Sequence, residues 1–81
     1  MAGIQQKLDT LGIALPDAPK PVASYIPAKR AGNLLYISGQ VPLKGGELAF
    51  SGPVPSSVSP EEASEAARIC AINALAVARD A

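Results

Sequence analysis

The sequence predicts an α+β fold, and three observations carry that prediction. Ser59-Pro60-Glu61-Glu62 opens a long Ala-rich segment whose apolar residues recur at helical spacing. Leu34-Leu35-Tyr36-Ile37 is a short apolar run held between Gly32-Asn33 and Ser38-Gly39, the pattern of a strand between turns. The 8 Pro and 7 Gly of the chain avoid the interiors of these two segments.

In chain order, Ile4, Leu8 and Leu11 recur at i, i+4 and i+7 and predict a short amphipathic helix that Gly12 stops. Ala14 to Pro21 carries Pro16, Pro19 and Pro21 and reads as an extended linker. Residues 1–21 are therefore expected to be a helix and linker ahead of a domain over 22–81. Val22 to Ile26 is expected as a first strand closed by Pro27, and Ala31-Gly32-Asn33 as a turn. Leu34 to Ile37 is then a second strand, and its unbroken apolar run predicts burial on both faces. Gly45-Gly46 marks another turn, and Glu47 to Phe50 a third strand. Together the three strands predict an antiparallel meander.

Ser59 is placed to cap a helix, Pro60 suits its first position, and Glu62 completes a capping box. The helix is expected to run from Pro60 to the last residue. At about 100° per residue, Ala63, Ala66, Ala67, Cys70, Ala74, Val77 and Ala78 share one face, which is expected to pack on the sheet. Ile69, Ile72 and Leu75 lie off that stripe and predict a second contact surface. Three strands with open edges and one long helix imply the N-terminal part of a longer domain, or a fold completed by another chain.

Composition narrows the function. Hydrophobic residues are 48% and charged residues 17%, with a net charge of zero, which fits a globular domain. A strongly basic face for nucleic acid has no support from this balance. With no His and a single Cys, clustered zinc sites, a His-based triad and an internal disulfide are excluded. No apolar run approaches the ~20 residues of a membrane span, and no signal peptide is recognisable. The expected location is cytoplasmic.

The most site-like group is Ser38-Gly39-Gln40 at a strand end. Glycine lets a ligand approach the backbone amide, and the serine hydroxyl can donate or accept. Local sequence alone favours the plainer reading, in which these residues only form the exit from the strand. Tyr25 is a candidate pocket wall, or a half-buried strand tyrosine. Arg30 is a candidate carboxylate partner but reads more simply as a solvated turn residue. Cys70 is expected to be buried and structural. Glu61, Glu62 and Glu65 read as capping and surface residues. Gly45-Gly46 lacks the lysine and helix of a phosphate loop.

The run Gly32-Asn33-Leu34-Leu35-Tyr36-Ile37-Ser38-Gly39-Gln40-Val41-Pro42 resembles the RidA/YjgF family, also called L-PSP endoribonucleases or UK-type proteins. The order of parts continues through a Gly-containing turn to a helix with Asn73-Ala74-Leu75-Ala76, and the likeness covers about Val22 to Ala81. It implies a chorismate-mutase-like sheet with packed helices, assembled as a homotrimer with ligand clefts between subunits. It further implies hydrolysis of enamine and imine intermediates, such as 2-aminoacrylate, to 2-oxoacids and ammonia, without metal or cofactor. The implied ligand is a small carboxylate-bearing molecule touched by Tyr25, Ser38 and Gly39. The family's Gly-Pro-Tyr-Ser-Gln run reads Ala23-Ser24-Tyr25-Ile26-Pro27 here, with only the tyrosine matching. Its carboxylate-binding Arg and water-positioning acid fall in the second half of the family domain. No catalytic residue is therefore expected within these 81 residues. A non-catalytic small-molecule-binding homotrimer and an endoribonuclease or translation inhibitor are the alternative readings.

Overall fold

A computed structural model describes residues 2–18 and 26–81 of the chain. The order of elements is helix α1 (Ala2–Leu11), strands β1 (Ala28–Ala31), β2 (Leu34–Ile37), β3 (Leu43–Lys44) and β4 (Glu47–Leu48), then helix α2 (Pro60–Asp80). The α+β class is as expected, and the chain resolves it as two antiparallel hairpins beside a long helix.

Gly12 ends α1 by a Schellman arrangement. Its φ is 73°, its N–H donates to Asp9 O at 3.1 Å, and the Ile13 N–H donates to Leu8 O at 2.9 Å. Each hairpin then turns on two residues. In β1–β2, Ala31 pairs with Leu34 across Gly32-Asn33, and only Gly32 has positive φ, which is the requirement of a type II′ turn. In β3–β4, Lys44 pairs with Glu47 across Gly45 and Gly46, both at positive φ, as a type I′ turn requires.

The strands depart from expectation in three ways. Residues 22–25 of the expected first strand lie outside the described residues, and Ile26 is not in a strand. The observed partner of β2 is instead Ala28-Lys29-Arg30-Ala31, where a turn was expected to begin. Little in Ala-Lys-Arg-Ala favours a strand, so the ladder with β2 imposes the conformation. Among the described residues the meander is also absent, because β3 pairs with β4 and not with β2. Pro42 has no N–H to give a ladder, and the carbonyls of Val41 and Leu43 accept from the Asn73 side chain of α2. Finally, β2 is not covered on both faces. Leu35 and Ile37 are half-buried, whereas Leu34 is 60% and Tyr36 59% exposed. Their cross-strand partners Ala31 and Lys29 make the rest of that open face.

Ser59 caps α2 as expected. Its hydroxyl accepts from the Glu62 N–H at 3.1 Å, and Glu62 Oε1 accepts from the Ser59 N–H at 3.0 Å. Asp80 is the last helical residue and Ala81 its C-cap. The loop ahead of the helix folds onto Pro53 O, which accepts from the N–H groups of Ser57 and Val58, and Val58 is buried.

The core consists of Leu8, Val58, Ile69, Ala76 and Val77. The face of α2 that it uses is centred on Ile69, Asn73 and Ala76, about a quarter turn from the expected alanine stripe. Ala67 is exposed, and Cys70 is half-buried, not buried as expected. The reason is volume. Alanine gains little on burial, so Ile69 decides which way the helix rolls. Arg79 Nη2 donates to Pro16 O at 3.0 Å and ties the segment after α1 to the end of α2.

Two outcomes follow for stability. Ser59→Ala removes the capping box and is expected to cost about 1 kcal/mol in urea unfolding. Gly52→Ala is expected to cost about 1–3 kcal/mol, because φ at Gly52 is 124° and an added Cβ meets Ser57 Cβ at 2.7 Å.

Candidate functional site

The exit of β2 is built by hydrogen bonds of its own residues. The Ser38 N–H and its hydroxyl both donate to Pro27 O, at 3.1 and 3.2 Å. They extend the β1–β2 pairing by one step and fix where the strand ends. Gln40 Nε2 donates back to Ser38 O at 3.1 Å. The serine oxygen still has a lone pair to offer a ligand.

Gly39 is exposed between these two residues. Its φ is not positive, and nothing stands within 4 Å of a Cβ built on it. Neither backbone conformation nor crowding within the described residues calls for glycine here. Among those residues its N–H donates to no backbone carbonyl.

Beyond Gly39 the chain is drawn onto α2. Asn73 is 2% exposed, and its Nδ2 donates to Val41 O at 3.3 Å and to Leu43 O at 3.0 Å. It is the buried polar residue of the described core. Sequence reading placed Asn73 on the helix without giving it a role. The available signal was one asparagine in an otherwise apolar stretch from Ile69 to Ala78.

Of the other candidates, Tyr25 lies outside the described residues. Arg30 is an exposed strand residue opposite Leu35. Glu62 is spent on the cap, and Glu65 pairs with Arg68 at 3.6 Å on the surface. Among the described residues no three His, Cys, Asp or Glu side chains could share a metal ion. A separate concavity of about 900 Å³ lies between the segment after α1, the β3–β4 turn and α2, lined by Ile13, Leu43, Ile69 and Ile72 with Lys44 and Arg68. Ser38 and Gly39 do not line it.

The chain matches no family profile. It is 33% identical over 69 residues to Protein TCP17 of Trypanosoma cruzi, covering 85% of this chain and 43% of that protein. Among solved structures it is similar to protein Atu1372 of Agrobacterium tumefaciens, of unknown function, at 39% identity and TM-score 0.76 over 95% of this chain and 45% of that one. A candidate endoribonuclease from Shewanella oneidensis MR-1 superposes at TM-score 0.85 with 28% identity, over 94% of this chain and 50% of that one. The chain thus spans half or less of the length of these relatives. Its α+β fold is that of the matching part of the endoribonuclease-type neighbour. Among the described residues no helix is long and apolar enough to cross a membrane.

The Ser38 hydroxyl makes a single neutral hydrogen bond. Ser38→Ala is therefore expected to change unfolding free energy by no more than about 1 kcal/mol, measured by urea denaturation.

Proposed function

We propose that this chain carries one half of a ligand cleft in a RidA-type hydrolase of reactive enamines and imines, with Ser38 and Gly39 contacting a small carboxylate-bearing substrate. The observation that carries this reading is Gly39, a glycine demanded by nothing among the described residues, exposed beside a serine at a strand exit. A ligand that must reach the backbone amide supplies the missing reason. The motif Gly32 to Pro42 and the likeness to an endoribonuclease-type fold support the family assignment.

In this proposal the Gly39 N–H donates to a carboxylate oxygen, and the free lone pair of Ser38 accepts from the substrate. Tyr25 walls the pocket. Water adds to the imine carbon, the resulting carbinolamine loses ammonia, and a 2-oxoacid is left. No metal or cofactor is required. The remaining groups of the site belong to a longer protein and to a neighbouring copy in a homotrimer. The open apolar face of Leu34 and Tyr36 favours association with such a copy. A cytoplasmic location suits an intermediate released by pyridoxal-phosphate enzymes.

A non-catalytic binding trimer is the second reading, favoured by Ile26-Pro27 after Tyr25 where the family pattern has Ser-Gln. Ribonuclease activity, suggested by the neighbour's name, draws no support from a net charge of zero.

The test uses the full-length protein and 2-aminoacrylate generated in place by a pyridoxal-phosphate dehydratase. Ammonia and the 2-oxoacid are expected to appear faster than in buffer. Ser38→Ala is expected to lower kcat/KM about tenfold, the loss of one hydrogen bond to the substrate. An intact oligomer with no rate above buffer overturns the deaminase reading. Saturable binding of 2-oxobutyrate without turnover then supports the binding trimer.

A further inference from the structure

We propose that Asn73 is a positioning residue for the Ser38–Gly39 site, acting from α2 through the Val41–Leu43 segment. The inference rests on the reading of that strand exit as a ligand site.

The geometry has two fixed ends and one joint. Upstream, the N–H and hydroxyl of Ser38 are both held by Pro27 O. Downstream, the carbonyls of Val41 and Leu43 are both held by Asn73 Nδ2, at 3.3 and 3.0 Å. The four residues between Ser38 and Leu43 are Gly39, Gln40, Val41 and Pro42. Pro42 has its φ locked near about −65°. The Leu43 N–H closes onto Val41 O at 2.8 Å, and the Gln40 side chain returns to Ser38 O. Gly39 is the residue with the broadest conformational freedom in the segment. Any displacement of the downstream end is therefore taken up at Gly39, and it redirects the amide assigned to the ligand.

The chemistry of the side chain fits this task. A carboxamide offers two N–H donors from one nitrogen, so a single residue can hold two carbonyls two positions apart. It does so uncharged, in the buried face of the helix between Ile69 and Ala76. An apolar residue of similar volume would bury in that face without desolvation, but it would release Leu43 O and leave Val41 O bound only within its own segment, by the Leu43 N–H.

The test compares Asn73→Leu with Val77→Ala in the full-length protein. Val77 is buried on the same helix and makes no side-chain hydrogen bond, so its truncation loosens the core without touching the tether. Backbone amide resonances of Ser38 and Gly39 are recorded for both variants alongside thermal melts, and kcat/KM for ammonia release is measured.

Asn73→Leu is expected to shift the Ser38 and Gly39 resonances well beyond the shifts in Val77→Ala at a comparable loss of Tm. It is also expected to lower kcat/KM about ten- to a hundredfold, as a displacement near 1 Å does. Shifts no larger than those of Val77→Ala overturn the inference, whatever the activity. If wild-type protein shows no turnover, the deaminase reading fails, and the resonances alone decide for or against positioning. If Asn73→Leu does not fold, Asn73→Ser takes its place, since its hydroxyl is too short to span both carbonyls.

Discussion

One buried side-chain amide joins the middle of this chain to its long helix. Asn73 sits where α2 is deeply covered, and its amide donates to two carbonyls of the segment that leads from β2 into β3. Without that contact, Leu43 would lose the hydrogen bond to its carbonyl beside an apolar helix face, which is costly, and Val41 O would keep only the Leu43 N–H. With it, the segment leaving β2 has a defined path, the β3–β4 hairpin has a fixed point of departure, and the strand exit at Ser38 and Gly39 has a fixed downstream end. The polar contact is thus the organiser of a packing arrangement that is otherwise thin.

That thinness is evident elsewhere. Five apolar residues make up the described core, and Ala76 among them is small. Leu34 and Tyr36 remain on an open face of a two-stranded sheet, a form with little independent stability in water. In the solved structures where this fold recurs, the matching part is half or less of the whole chain.

What could be read from the sequence was what local chemistry decides. Ser59, Pro60 and Glu62 determine the start of α2 among themselves, and Gly12 stops α1 by adopting a φ that few other residues tolerate. Gly32-Asn33 and Gly45-Gly46 were legible as turns for the same reason. What was not legible depends on distant partners. Ala28 to Ala31 is a strand because β2 lies beside it, not by its own preference. The buried face of α2 was misjudged because alanines lie on several sides of the helix, and Ile69 outweighs them only once the rest of the core is assembled. At the candidate site, Ser38 and Gly39 were visible from their place between an apolar run and a proline. The part played by Asn73 was not visible, since it is expressed across 30 and 32 residues of sequence.

The two-residue glycine turns also divide the closures of this chain into very short and very long ones. A hairpin closed by two residues needs almost no loop entropy and forms in about 1–10 μs. The first turns of a capped helix are equally local. The Asn73 bridge must instead close a span of 30 residues, and the Arg79 bond to Pro16 one of 63. Doubling a loop adds only about 0.6 kcal/mol, so the second closure costs little more than the first. The entropy of loop closure in this chain thus lies in the two long spans that Asn73 and Arg79 bridge, not in the hairpins.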